Sequence, residues 1–331
     1  MYTHQCAPSR NNTIKTTSTC MTLEELLVIA KEYNLLHKKN QIDVQNNPSV
    51  AKLHQSLKTR LNCENGEADV CIIEKSQSFT KNKINEAKIL KPVKPKSWNE
   101  NDHEWLSNLD IDKVLKQYEL AYPGFKFVGA VPLDAARTPP PPMEKTGEKT
   151  NRKTSTKRPP RQMVSSTGLC TEKEMCTILG EFRINHHPVS FNRFAVVYNL
   201  DYSHQPGSHW VSLFCDFRKG SKKYGAYYFN STGYTRTDKQ RKVKPIPTEI
   251  EEFVNKIKPK YPLFKLQYNE LVYQVGGSEC GMFSLVFVIL CLMYPDETYK
   301  ETRARIVKSK QDEWVHFFRN VLFRNNTTIS R

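Results

Sequence analysis

The sequence predicts an α+β protein in which helices flank a central mixed β-sheet. Strand-like segments rich in β-branched and aromatic residues occupy 194–199, 209–217 and 224–229. A longer apolar segment follows them, from Cys280 to about residue 294, and exceeds the length of an ordinary strand. Its small polar face predicts a helix that is buried against the sheet.

Helices are predicted on both sides of these strands. Thr22–Glu25 has the T-x-x-E spacing of a capping box, which predicts the start of a helix that runs to about residue 38. Leucines recur every four residues over 49–61 and predict a second helix. Further helices are predicted over 105–122, 171–179, 248–257 and 299–323, and short strands over 125–128 and 264–268.

The chain is predicted to have two parts. Residues 1–96 form a helical accessory or arm region that ends in the linker-like sequence Lys-Pro-Val-Lys-Pro-Lys. Residues 97–331 form the core domain. A flexible basic insertion, residues 137–166, interrupts this domain. We expect an insertion there because four consecutive prolines, followed by seven Lys and Arg residues over 145–161, cannot build an apolar core.

Charge and hydropathy narrow the classes of function. The net charge of +16 indicates an anionic partner such as nucleic acid, an acidic protein or a membrane surface, while a Lys-rich solvated surface is the alternative interpretation. The longest apolar run, 282–293, is shorter than the roughly 20 residues that span a bilayer. The N-terminus lacks the apolar stretch of a secretory signal. We therefore expect neither secretion nor membrane insertion by the chain's own signals.

The nine cysteines are odd in number, scattered and without a C-x-x-C pair, so we expect reduced thiols, with neither a disulfide framework nor a metal site. Cys280 differs from the rest in its position. It precedes or opens the apolar helix, where N–H groups and the helix dipole stabilise a thiolate. Gly281 beside it has no side chain and allows a substrate backbone to approach closely.

Other polar residues complete a candidate site. His209 opens a predicted strand and can act as a base toward a thiol, with Trp210 covering the pair against water. Asn230 ends the next strand, where its amide oxygen can orient the imidazole, although Asn before Ser-Thr-Gly also favours a turn. Gln274, with the glycines that follow it, can place an amide donor beside Cys280, so that the two residues form an oxyanion hole.

The candidate residues occur in the order His, Asn, Gln and Cys, within the segments GSHWVSLF and YYFNSTG, at the Gln, and within SECG. This arrangement resembles the ubiquitin-like-protein protease superfamily. Within this superfamily, these sequence segments are most similar to those of the polyprotein-processing proteases of African swine fever virus and other large DNA viruses. The resemblance is specific over about 170–295 and looser over 98–134. It implies a papain-like or ubiquitin-like-protease core with an N-terminal helical arm.

The resemblance also implies roles for the candidate residues. Cys280 corresponds to the nucleophile, His209 to the base and Gln274 to the oxyanion donor, with Trp210 and Gly281 lining the substrate cleft. Asn230 corresponds to the orienting residue. The swine fever virus relative also has an amide side chain at the position of Asn230. The SUMO-specific and adenovirus proteases have an acidic residue there instead.

The implied function is that of a cysteine endopeptidase that cleaves viral structural polyprotein precursors at Gly-Gly-X sites during virion maturation. The expected locations are the host cytoplasm and the virion, and the expected partner is a precursor with Gly-Gly motifs. No cofactor and no obligate oligomer are expected. Two alternatives stay open: an isopeptidase that removes ubiquitin or SUMO, and an inactive nucleic-acid-binding virion protein. The basic run over 145–161 motivates the second, and DNA contact is also compatible with an active enzyme.

Overall fold

The computed structural model describes residues 5–46, 48–64, 67–81, 84–101, 103–136, 191–257, 261–306 and 311–325. The chain forms two compact units. Unit 1 comprises Met1–Glu104, Lys113–Pro123 and Asp312–Arg331, and unit 2 comprises Trp105–Asp112 and Gly124–Gln311. The basic insertion over 137–166 and the helix over 171–179 lie outside the described residues, and the domain boundary at residue 96 stays a prediction.

The elements follow one another from helical to mixed structure. The helices are α1 (Asn11–Thr17), α2 (Leu23–Leu36), α3 (Val50–Arg60), α4 (Ala68–Ser76), α5 (Glu86–Ile89), α6 (Asn108–Ala121), α7 (Arg236–Gln240), α8 (Thr248–Ile257), α9 (Cys280–Met293), α10 (Tyr299–Ala304) and α11 (Gln311–Leu322). The strands are β1 (Phe125–Pro132), β2 (Arg193–Asn199), β3 (Trp210–Asp216), β4 (Gly225–Phe229) and β5 (Leu266–Tyr268). The single helix predicted over 299–323 is wrong, because α10 ends at Ala304 and α11 begins at Gln311.

Unit 1 contains α1 to α5, and its apolar core lies between α2, α3 and α4. The predicted capping box is confirmed: the Thr22 side chain accepts from the Glu25 N–H, and the Glu25 carboxylate accepts from the Thr22 N–H. Leu26, Leu57 and Ile73, one from each of the three helices, are fully buried in this core. The helical patterns of the sequence therefore place the apolar faces correctly.

The prediction that no disulfides form is wrong. Cys6 is bonded to Cys20, and Cys63 to Cys71. The fold brings the Cα atoms to 5.2 and 5.6 Å, which is within the range that a disulfide spans. No local sequence pattern marks these pairs, because their partners meet only when the helices pack. Three further cysteines in the described residues are free and buried thiols: Cys215, Cys280 and Cys291.

Peptide mapping of protein that is alkylated and digested without reductant should recover both disulfide-linked pairs. The bridges close loops with sequence separations of 14 and 8 residues. Loss of either bridge, as in Cys20→Ser or Cys71→Ser, should lower the free energy of unfolding by about 2–4 kcal/mol, measured by chemical denaturation. Alkylation of Cys6 or Cys63 before reduction would contradict the pairing.

Unit 2 is organised by a five-stranded mixed sheet in the order β1-β2-β3-β4-β5. The outer pairs, β1 with β2 and β4 with β5, are parallel, and the two inner pairs are antiparallel. Each of the strands predicted from the sequence overlaps one of these five. Asn199 of β2 pairs with Trp210 of β3, so the loop that joins these strands leads directly into the start of β3.

Both faces of the sheet are covered, which explains why its strands are continuous apolar runs. On one face, Phe194 packs edge-on against Phe253 of α8, with ring centroids 6.0 Å apart. On the other face, Phe229 stacks on Phe287 of α9 at 4.5 Å. Helix α9 is buried from its first residue to Leu292, as its sequence predicts.

The C-terminal end of α9 is held by a buried lysine. The Lys223 ammonium is inaccessible to solvent and donates to the carbonyl oxygens of Tyr294 and Glu297, the second over 2.5 Å. A cation at a helix C-terminus satisfies terminal carbonyls and opposes the negative end of the dipole.

Among the helices of the described residues, none combines the length and apolarity that crossing a membrane requires.

Candidate functional site

The candidate site forms where strand β3 meets the first turn of helix α9. Ser284 Oγ donates to the Trp210 carbonyl oxygen over 3.2 Å. A Cβ on Gly281 would lie 3.2 Å from Trp210 Cδ1 and 3.0 Å from Leu106 Cβ, so a side chain there would force its neighbours apart. Trp210 Nε1 also donates to the Leu106 carbonyl oxygen over 2.9 Å. The start of β3 is thereby fixed beside Cys280, the residue that opens α9.

Cys280 is buried in this junction, with 1% of its surface exposed. Burial raises the pKa of its thiol above the ordinary value. Hydrogen bonds from the backbone N–H groups of Trp210, Gly281 and Cys280 itself act in the opposite direction, and the Glu279 carboxylate adds to the increase. Burial therefore favours the neutral thiol, whereas the hydrogen bonds at the helix N-terminus favour the predicted thiolate.

His209 directly precedes Trp210 and is held by Asn230. Its Nε2 lies 2.8 Å from Asn230 Oδ1. The Thr232 backbone N–H, which can only donate, lies 3.0 Å from the same atom and so identifies it as the amide oxygen. An oxygen acceptor places the proton on Nε2, which leaves the lone pair of the neutral ring on Nδ1. Burial lowers the pKa of His209, against the opposing effect of the Asn230 hydrogen bond, so the ring is neutral near pH 7.

Asn230 is positioned by Asn269, a residue that sequence reasoning missed. The buried Asn269 side chain accepts from the Asn230 N–H over 2.9 Å and donates to the Asn230 carbonyl oxygen over 2.7 Å. This pairing extends the β4–β5 ladder by one residue with a side chain in place of a backbone. Gly233 closes the turn at a φ of 69°, and a Cβ there would lie 2.6 Å from backbone oxygens of Glu270 and Leu271. No motif marks Asn269, since its partner lies 39 residues away.

Gln274 is attached to the same turn. Its backbone N–H donates to the Ser231 carbonyl oxygen over 2.9 Å, and Ser231 Oγ donates to Gln274 Oε1 over 2.7 Å. With the amide oxygen fixed, Nε2 donates to the Gly276 carbonyl oxygen over 2.8 Å, in the loop that leads to Cys280. The Ser278 N–H of that loop donates to the buried Glu279 carboxylate over 3.2 Å. In the free protein, the predicted oxyanion donor therefore binds one of the protein's own carbonyls.

The two residues predicted to line a cleft lie in different environments. Trp210 borders a cavity of about 200 Å³ whose lining also includes Trp105, Pro132 and Tyr202. Gly281 packs against Leu106 and Trp210 instead, and its place in a substrate cleft stays a prediction.

Comparisons with known proteins find similar viral proteases. Residues 192–330 match the family described as Vaccinia virus I7 processing peptidase. The chain is 28% identical over 340 residues to a proposed thiol protease of Acanthamoeba polyphaga mimivirus, covering 97% of this chain and 93% of that protein. It is 28% identical over 138 residues to a cysteine protease of African swine fever virus, which covers 40% of this chain and 44% of the relative.

The chain is therefore similar in sequence to viral thiol and cysteine proteases. The crystal structure of the African swine fever virus protease superposes with a TM-score of 0.54 at 17% identity, covering 98% of this chain and 97% of that one. This likeness confirms the predicted fold class, and the sequence matches confirm the predicted resemblance to viral cysteine proteases.

The role of Asn269 at this site can be tested through the ionisation of His209. Asn269→Ala removes both hydrogen bonds to the Asn230 backbone and does not alter the imidazole itself. We expect the pKa of His209 to fall, because a displaced Asn230 supports the imidazolium less well. An NMR titration of the His209 ring protons measures the change.

Asn230→Ala serves as the matched variant, because it removes the same support directly. The double variant should lower the pKa of His209 no further than Asn230→Ala alone. Additive changes in the double variant would show that Asn269 acts on His209 by another route.

Proposed function

We propose that the protein is a cysteine endopeptidase in which Cys280 is the nucleophile, His209 the general base, Asn230 the orienting residue and Gln274 an oxyanion donor. The observation that carries the proposal is the 2.8 Å hydrogen bond between His209 Nε2 and Asn230 Oδ1, at the start of the strand that packs against Cys280. An imidazole oriented by an amide oxygen, beside a thiol at a helix N-terminus, suits nucleophilic acyl transfer.

In the proposed reaction, the thiol and imidazole start as neutral partners. Cys280 Sγ attacks the carbonyl carbon of the scissile bond while its proton passes to His209 Nδ1, and Asn230 stabilises the resulting imidazolium. Gln274 Nε2 and the Cys280 N–H donate to the developing oxyanion once the substrate has displaced the Gly276 carbonyl from Gln274. The C–N bond breaks, His209 protonates the leaving amine, and a thioester remains. Water activated by His209 then hydrolyses the thioester and regenerates the thiol.

The proposed substrate is an extended, side-chain-poor segment, cleaved at Gly-Gly-X in viral structural precursors in the host cytoplasm and the virion. The cavity of about 200 Å³ bordered by Gly207 and Trp210 flanks His209 in the chain and can hold a neighbouring part of the peptide, although none of the four proposed catalytic residues lines it. The description of the matching family as a processing peptidase supports precursor cleavage during virion maturation. Ubiquitin-like modifiers with Gly-Gly tails are the competing substrate class, and ubiquitin- and SUMO-vinyl probes distinguish the two. Labelling by these probes would favour deconjugation.

Cys280→Ala should abolish turnover of a Gly-Gly-X peptide, with a loss of at least about 10³-fold in kcat, because no other group in the site can form the thioester. Cys291→Ala is the matched control: Cys291 is a buried thiol of the same helix and should retain nearly full activity. Mass spectrometry of the products measures both. Unchanged cleavage by Cys280→Ala would refute the assignment of the nucleophile.

The pH dependence of kcat/KM should report the ionisation of His209. Because burial lowers its pKa, the acidic limb should lie below the ordinary histidine value of 6.5. Asn230→Ala should move this limb to still lower pH, since the hydrogen bond that it removes raises the pKa. Asn230→Asp should move it to higher pH, because a carboxylate favours the imidazolium. A limb above pH 6.5 in the wild type, or identical limbs in the two variants, would contradict this mechanism.

A further inference from the structure

We propose that residues 236–244, called here the basic segment, bind an acidic part of the protein substrate outside the catalytic cleft. This inference rests on the proposed protease function and extends it to the recognition of the substrate. The segment contains one acidic residue, Asp238, and five cationic residues, all of them exposed: Arg236, Lys239, Arg241, Lys242 and Lys244.

The backbone of the basic segment is folded, which fixes the points from which its cationic side chains extend. The Asp238 carboxylate accepts from the Thr235 N–H over 2.8 Å, and the Asp238 N–H donates to Thr235 Oγ1 over 3.3 Å, which forms the capping box of α7. The Tyr234 hydroxyl donates to the Val243 carbonyl oxygen over 2.8 Å and ties the two ends together. An ordered cluster loses less conformational entropy on binding than a flexible tail of the same charge.

Two of the five cations are engaged within the protein. Lys239 pairs with Glu270 at 3.0 Å, and Lys244 pairs with Glu251 at 3.5 Å. For Arg236, Arg241 and Lys242, the described residues provide no side-chain ion pair. These three cations are the ones available to a partner.

The basic segment and the turn Asn230–Gly233, called here the catalytic turn, are both held by residues 269–271. Asn269 pairs with the backbone of Asn230, and Glu270 pairs with Lys239. Arg236 follows Asn230 by six residues, which span at most about 20 Å when fully extended. A chain bound in the cleft can therefore reach the basic segment.

Exposed apolar side chains favour a protein partner over nucleic acid. Leu271, in the stretch 269–271, is 64% exposed, and Val243 is 49% exposed. A phosphate backbone offers no apolar partner for these side chains, whereas an acidic peptide that also carries leucine matches both features. A substrate held at the catalytic turn lies next to this surface, so we assign the substrate as its protein partner.

The test compares two fluorescent Gly-Gly-X peptides, one extended by a segment of Glu and Leu and the other by the same segment with Gln for Glu. At low salt, we expect the acidic peptide to have a KM about tenfold lower than the neutral one, as three exposed ion pairs allow. The variant Arg236→Glu/Arg241→Glu/Lys242→Glu should lose this preference and keep the wild-type kcat on the neutral peptide.

Lys31→Glu/Lys38→Glu/Lys39→Glu is the matched control, because it changes the net charge equally at exposed lysines of unit 1. It should keep the preference. Loss of the preference in both variants would assign the effect to net charge and overturn the proposal. An unchanged preference in the basic-segment variant would overturn it as well.

Binding to the Cys280→Ala variant separates the two proposals, since fluorescence anisotropy of the acidic peptide needs no turnover. Salt-sensitive binding that the basic-segment substitutions abolish would support the binding surface even if no peptide were cleaved. A labelled single-stranded oligonucleotide that binds there in place of the acidic peptide would assign the surface to nucleic acid and overturn the proposal.

Discussion

The packing of the first turn of α9 against the start of β3 is the contact on which the site depends. It holds Trp210, which directly follows His209 in the chain, against the turn that begins at Cys280, 71 positions after His209. Gly281 allows the close approach, and Ser284 fixes it through the Trp210 carbonyl. Because both elements lie in the buried centre of unit 2, the contact is supported by the whole apolar core rather than by a flexible loop.

The polar side of the site depends on one turn, Asn230–Gly233. Asn230 orients the imidazole, Ser231 fixes the amide of Gln274, and Asn269 holds the turn to the end of β5. These side chains form a connected hydrogen-bond network, in which each partner limits the rotation of the next. The network thus fixes the orientations of the His209 ring and of the Gln274 amide, whose Nε2 donates to the Gly276 carbonyl oxygen.

Sequence patterns anticipated the parts of the protein that local chemistry determines. The capping box at Thr22, the apolar helix at Cys280 and the strands of the sheet each carry a signal within a few neighbouring residues. Asn269, Lys223 and the two disulfides carry no such signal, because each acts through a partner that only the tertiary fold brings near. The burial that raises the pKa of Cys280 carries no such signal either, because it comes from tertiary packing, whereas the helix position that favours the thiolate is local.

The site of covalent capture by an electrophilic peptide ending in Gly-Gly, mapped by mass spectrometry, tests the central claim most directly. We expect a single label on Cys280 in the wild type and much slower labelling in His209→Ala, since a buried thiol with a raised pKa needs the neighbouring base. Labelling of Cys215 or Cys291, or capture of Cys280 at an unchanged rate without His209, would contradict the pairing of thiol and imidazole.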